Sequence, residues 1–125
     1  MDNKQIENKR QIGTEKEVMA IKYLQDKNYF IITSNYRIKQ AEVDIIARDK
    51  DVIVFIEVKY RKNEDCGHPF EAVDIKKQKR ICKAALDYMT KNKISIYNTK
   101  IRFDVIGILG KEIMHVEDAF EYIRG

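Results

Sequence analysis

The stretch Val52 to Tyr60 reads Val-Ile-Val-Phe-Ile-Glu-Val-Lys-Tyr. Nothing else in the chain limits its fold as tightly. Its first five residues are β-branched or aromatic and apolar on both sides of the pleat. That pattern describes a strand covered on both faces, in the middle of a layered sheet. The run then ends on Glu57-Val58-Lys59. Glu57 and Lys59 are two residues apart and leave the same face of the strand. A buried carboxylate or ammonium is costly unless paired or metal-bound. The strand is therefore either closing at the surface at this point or building a site.

The neighbouring pattern supplies the rest of a layered α/β domain. Residues 13–27 read as a helix, with Val18, Ala20, Ile21 and Leu24 on one face and Lys16, Lys22, Gln25 and Asp26 away from it. Strands are expected at 29–36, 42–48, 52–60, 100–109 and 112–116, and a second helix at 72–91. In that helix Ile75, Cys82, Ala85, Leu86 and Met89 mark an apolar stripe, and residues 61–71 read as a polar loop. The order is α-β-β-β-α-β-β. It predicts a single domain over residues 1–125, with a central mixed five-stranded sheet flanked by helices.

Asp44 interrupts the apolar strand that precedes the central one. A hairpin with Asp49-Lys50 at its tip pairs Arg48 with Asp51 and puts Asp44 opposite Phe55. Asp44 and Glu57 are then diagonal neighbours on one face, their Cα atoms roughly 7–8 Å apart. That separation lets two carboxylates reach one hard cation. A three-residue turn would put them on opposite faces. Two readings of Glu17 stand. Thr14 and Glu17 have capping-box spacing, so Glu17 can close the start of the first helix. If that helix begins upstream, Glu17 faces the sheet and joins the carboxylates. Asp44, Glu57 and Lys59 are the types a metal-dependent phosphodiesterase needs, but an Asp and a Glu-x-Lys also fit a solvated strand end with a surface ion pair.

Charge is unevenly spread. The chain of 125 residues has a net charge of only +4. Asp74 to Lys93 carries seven basic residues against two acidic ones, so the rest of the chain is slightly acidic. Lys76, Arg80 and Lys83 line one side of the second helix, with Lys79 nearby and Arg61 extending the basic surface. Such a stripe is an electrostatic footprint for a phosphate backbone, or an ordinary Lys-rich solvent face.

Several classes are excluded. No apolar run approaches the roughly 18–20 residues that span a bilayer, and no signal-peptide pattern follows Met1. Cys66 and Cys82 are too few for a disulfide framework or a four-cysteine zinc site, so a cytoplasmic chain with reduced thiols is expected. His68 and His115 have no partners at metal-ligand spacing and read as incidental. Asp104 reads as a structural partner of Arg102, with support of the site as the other role. There is no phosphate loop, dinucleotide fingerprint or serine nucleophile motif.

Asp44 followed by Glu57-Val58-Lys59 resembles the PD-(D/E)xK signature of restriction endonuclease-like nucleases. The wider pattern resembles the bacterial YraN-like family within that superfamily. The resemblance rests on Asn8-Lys9-Arg10-Gln11-x-Gly13, Glu17-x-x-Ala20, Tyr23-Leu24 and Ala41 to Ala47. It continues through Val54 to Arg61, Glu71-Ala72-Val73, Lys79-x-x-x-Lys83, Arg102 to Val105 and Ala119-Phe120, and so covers nearly the whole chain. Lys16 and Ala41 stand where that family usually has glycine, and Val43 stands in place of the superfamily's proline.

The resemblance implies a restriction endonuclease-like domain that hydrolyses DNA phosphodiester bonds, with branched or damaged DNA among the substrates. It implies Mg²⁺ or Mn²⁺ on Asp44 and Glu57, the Val58 carbonyl as a further ligand, and Lys59 positioning the water. Glu17 matches the acidic position on the first helix. Nucleic acid is the implied partner, and many enzymes of this superfamily pair as homodimers to cut two strands. The alternative is a non-catalytic nucleic-acid-binding module that keeps the fold.

Overall fold

The computed structural model describes residues 3–63 and 73–123, with side chains from Thr14 onward. The elements are α1 (Asn3–Asp26), β1 (Phe30–Ile38), β2 (Ala41–Asp49), β3 (Val52–Arg61), α2 (Ile75–Lys91), β4 (Ile101–Leu109) and β5 (Glu112–Phe120). The expected polar loop lies mostly outside the described residues, and Cys66 and His68 lie outside them entirely.

The five strands form one mixed sheet in the order β1-β2-β3-β4-β5. β3 and β4 are parallel, and every other neighbouring pair is antiparallel. The parallel pair needs a crossover, and α2 supplies it. β3 is central, as its apolar run requires. Val54 and Ile56 pack with Ala20 and Leu24 of α1 on one face, and Phe55 packs with Ile81, Ala85 and Met89 of α2 on the other.

Both helices end in the same way without a glycine. Asn28 (φ 69°) and Lys93 (φ 57°) take the left-handed conformation two residues past the end of the helix. Tyr29 N–H then reaches back to the Leu24 carbonyl at 2.9 Å, and Ile94 N–H to the Met89 carbonyl at 2.8 Å. This is the Schellman arrangement, and in each case the two residues belong to the same apolar cluster. At its start α2 is capped by Asp74, whose side chain accepts the Lys77 N–H at 2.9 Å.

Several expectations are corrected. α1 begins at Asn3, so Thr14 and Glu17 lie inside it and form no capping box. Val18, Ile75 and Leu86 are exposed, whereas Ile81, Ala84 and Tyr88 are buried. Cys82, Ala85 and Met89 of the expected α2 stripe are buried, and its edge is rotated, with Ile81, Ala84 and Tyr88 meeting the sheet in place of Ile75 and Leu86. β5 runs on to Phe120, past the acidic pair Glu117-Asp118.

The β2–β3 turn also differs. Asp49 pairs with Val52, so Lys50 and Asp51 form the tip and Lys50 takes φ 58°. The register is shifted by two residues and its parity is kept. Extended beyond its last pair, Ile45 with Ile56, it brings Asp44 opposite Glu57 rather than Phe55.

Candidate active site

The β2–β3 ladder stops one residue short of Asp44 and Glu57. On the other side of β2, Ser34 pairs with Ile45 and Tyr36 with Val43, leaving Asn35 and Asp44 unpaired between them. Asn35 has φ 54°. The pleat turns over here. Ile45 and Ala47 pack with α1, whereas Val43 and Ala41, which regular alternation would put with them, pack with the α2 cluster. A local irregularity of this kind re-aims a side chain. It aims Asp44 across the gap, where its Oδ2 accepts the Val58 N–H at 2.8 Å. In an extended strand a residue's N–H and C=O leave on the same side, so the Val58 carbonyl also points towards β2.

Glu57 lies on the α2 side of β3 and is 2% exposed. Its Oε1 meets the ammonium of Lys59 at 3.2 Å and that of Lys77 at 3.5 Å. Its Oε2 is buried and has no hydrogen-bond partner. Burial and the neighbouring Asp44 charge push the Glu57 carboxyl up to about 7, against the pull of the two lysines. Burial likewise raises Asp44, opposed by the Val58 N–H.

Glu17 approaches from α1. Burial together with Asp44 pushes its carboxyl up, against the pull of the Asn35 side chain. Its Oε1 is also buried without a partner. The reading in which Glu17 faces the sheet is therefore the one the structure shows. Asp44, Glu57 and Lys59 are together, Val58 lies between them, and Glu17 stands at the edge of the group. Among the described residues, no three Asp, Glu, His or Cys side chains already close on one point as a metal cage.

The candidate nucleic-acid residues divide. Lys77, Arg80 and Lys83 form one wall of a groove whose other wall is the β1–β2 hairpin, with Arg37, Lys39 and Gln40. Lys76 and Lys79 are exposed on α2 but do not line these hollows. Arg61 is half-buried, its guanidinium on the Tyr60 carbonyl at 3.0 Å. Sequence reading missed Lys77 as a site residue, although it lies three residues past the capping Asp74, in the first turn of α2.

A second buried polar cluster lies below α1. Asp104, fully buried, accepts from Arg102 Nε at 2.8 Å and from the Asp118 N–H at 3.0 Å, and lies 2.7 Å from His115 Nε2. Burial alone would raise the Asp104 carboxyl, but His115, Arg102 and Asp118 outweigh it and hold it below the usual range. Asp104 is thus a structural partner of Arg102. His115 is not incidental. A carboxylate beside Nε2 requires a proton on that nitrogen, leaving Nδ1 to accept from Tyr23, 3.2 Å away.

The fold and site define a mixed-sheet α/β protein with a carboxylate-lysine cluster where two central strands part. A family model described as Uncharacterised protein family UPF0102 matches residues 16–108, and the chain belongs to this family. It is 44% identical to a UPF0102 protein of Geotalea uraniireducens, over 90% of this chain and 91% of the relative. A UPF0102 protein of Lachnoclostridium phytofermentans is 42% identical over 91% and 96%. One of Clostridioides difficile is 44% identical over 90% and 99%.

Proposed function

We propose that the chain is a metal-dependent nuclease that hydrolyses DNA phosphodiester bonds. The observation that carries this is Glu57 Oε2, a buried carboxylate oxygen without a partner, beside a second carboxylate. A purely structural ion pair would satisfy both oxygens, because an unmatched buried charge is costly. A divalent cation would satisfy Oε2 and also offset the repulsion between Glu57 and Asp44.

The donors suit a hard cation. Asp44 keeps one oxygen uncommitted to Val58, Glu57 offers Oε2, and the Val58 carbonyl faces the same gap. Mg²⁺ keeps several waters and needs only one or two carboxylates. Mg²⁺ or Mn²⁺ there would lower the pKa of a bound water and neutralise phosphate charge. The protein's own groups do the rest. Lys59 sits where its ammonium positions a water and offsets charge building on the phosphate. Asp44 is fixed by its bond to Val58. Lys77, Arg80 and Lys83 hold the backbone that leads to the site.

The test is Mg²⁺- or Mn²⁺-dependent cutting of linear, nicked and four-way DNA by wild type and by Glu57→Gln. Cutting by wild type alone supports the reading. No cutting by either, or equal cutting by both, overturns it. The second reading, a binding module that keeps the fold, is favoured by the lack of a closed three-ligand cage among the described residues. It expects salt-sensitive DNA binding with no Mn²⁺ uptake in calorimetry.

A further inference from the structure

Lys77 belongs to two places at once. Its ammonium is 3.5 Å from Glu57 Oε1, yet its side chain lines the groove with Arg37, Gln40 and Arg80, a hollow of about 250 Å³. Its backbone is held by the Asp74 cap, so only the flexible stem decides where the ammonium lies. The side chain is 22% exposed, which leaves it a path to solvent.

Charge counting shows why both places matter. Two carboxylates, Asp44 and Glu57, face two ammoniums, Lys59 and Lys77, and the set is neutral. Lys59 is the closer of the two to Glu57 Oε1, at 3.2 Å. It comes from the same strand as Glu57 and is aimed by it. Lys77 is the more distant and comes from another element. Adding a dication to these four groups leaves two excess positive charges, which Glu17 at the edge of the group offsets only in part. The more weakly held ammonium is the one to leave, and the groove beside it already holds cations. Arg80 and Lys83 make no ion pair with any described residue. Arg37 and Lys91 on the walls pair with Glu42 and Asp87, so Arg80 and Lys83 are cations there that call for an external anion. The groove's described walls carry no aromatic side chain, and single strands are usually gripped by stacking bases on such rings. A base-paired sugar-phosphate backbone fits it better.

Resting on the nuclease reading above, we infer that Lys77 is a two-position cation. It is paired to Glu57 when the carboxylates hold no metal, and it turns into the groove onto a duplex phosphate when a divalent ion takes its place. Lys77 then competes with metal in the free protein and works with it in the complex. It is a positioning residue, and removing it should move two affinities in opposite directions.

The experiment uses Lys77→Met in the full chain, with Lys77→Arg and Lys76→Met beside it and thermal melts to establish folding. Mn²⁺ affinity is read by calorimetry near pH 8.5. Nucleic-acid affinity is read on an uncleavable phosphorothioate DNA duplex in Mn²⁺, against the matching RNA duplex and single strand. Lys77→Met should bind Mn²⁺ about three- to tenfold more tightly and the duplex severalfold more weakly. Its dependence of log affinity on log salt should be less steep by about 0.9. Lys77→Arg keeps both affinities within about twofold of wild type. Lys76→Met, outside the groove walls, leaves Mn²⁺ affinity within about twofold of wild type and weakens the duplex clearly less than Lys77→Met does. Unchanged or weaker Mn²⁺ binding by Lys77→Met overturns the exchange. Tighter Mn²⁺ binding with undiminished duplex binding overturns the groove position. Equal or better binding of the single strand overturns the duplex assignment. If wild type binds Mn²⁺ but cuts nothing, the nuclease reading fails while these comparisons still decide Lys77. If wild type binds no Mn²⁺, the metal site and the exchange fail together.

Discussion

Asp44 Oδ2 accepts the Val58 N–H at 2.8 Å, so a carboxylate takes the role of a main-chain carbonyl where the β2–β3 ladder ends. The bond gives Asp44 two separable jobs. Asn retains an acceptor oxygen in nearly the same place, whereas Ala leaves the Val58 N–H without one. Asp44→Ala should therefore lose about 1–3 kcal/mol of stability, the usual cost of an unsatisfied buried donor. Asp44→Asn should stay within about 1 kcal/mol of wild type. Both should lose Mn²⁺ binding. Urea denaturation and calorimetry on the same two variants separate the strand-end role from the metal role.

Glu57 makes the folded chain pH-sensitive in an unusual direction. Its carboxyl is raised from 4.5 to about 7 by burial and by Asp44. Between those values the folded state keeps a proton that the unfolded state releases, so stability falls as pH rises through the window. Above about 7 the penalty is present in full. Glu57→Gln removes the ionisation and leaves Lys59 and Lys77 with access to solvent. At pH 8 the variant should melt higher than wild type, and the difference should shrink as pH is lowered towards 4.5. Melting curves across that range check it. A variant less stable than wild type at pH 8 would contradict the account. A site that is stabilised when its reactive group is deleted is the usual sign of stability given up for function.

Asp104 has the opposite sign. Its carboxyl is held below 3.8 once the bonds from His115, Arg102 and Asp118 outweigh burial. Its contribution is present above the unfolded value and is lost as pH falls below about 3.8 towards the folded value. Asp104→Asn removes the buried carboxylate from the Arg102 guanidinium, which keeps Asp49 at 3.2 Å and the Tyr29 hydroxyl at 2.7 Å. It should cost about 1.5–3 kcal/mol, the usual worth of hydrogen bonds to a charged group. It should also remove the acid-induced loss of stability in that window. Denaturation of the variant at pH 7 and at pH 3 tests both statements.

The parts of this molecule that were legible in its sequence are those with a period. The all-apolar face pair of β3 announced a central strand, and the parity of a two-residue hairpin brought Asp44 to Glu57 even though its tip was misplaced by a residue. Features that rest on single backbone dihedrals were not legible. Nothing in the letters shows that Asn35 takes a positive φ and turns the β1–β2 pleat over, or that Asn28 and Lys93 end helices where glycine is the expected residue. β5 was cut short because Glu117-Asp118 looks like a turn. In the structure Asp118 has φ 54° and its N–H is taken by Asp104. Both interior aspartates, Asp44 and Asp104, accept main-chain N–H groups where a ladder is interrupted. An acidic residue in an apolar strand thus has a structural use that composition cannot separate from a catalytic one. Lys77 was passed over because it belonged to a basic run in which only the tertiary fold picks out the member that meets Glu57.

That sorting of the basic run gives a last expectation, about salt. Arg80 and Lys83 wall the groove, whereas Lys79 lies outside its walls. Each phosphate contact contributes about 0.9 to the slope of log affinity against log salt on a duplex. Arg80→Gln with Lys83→Gln should therefore make that slope shallower by about 1.8, and Lys79→Gln should change it by clearly less than 0.9. Contacts to phosphates carry no base information, so the double variant should lose affinity by the same factor on duplexes of different sequence. Fluorescence anisotropy at four or five salt concentrations on two unrelated duplexes reads both quantities. A Lys79 effect equal to that of Arg80 or Lys83 would mean that the whole solvent face of α2, rather than the groove, meets the nucleic acid.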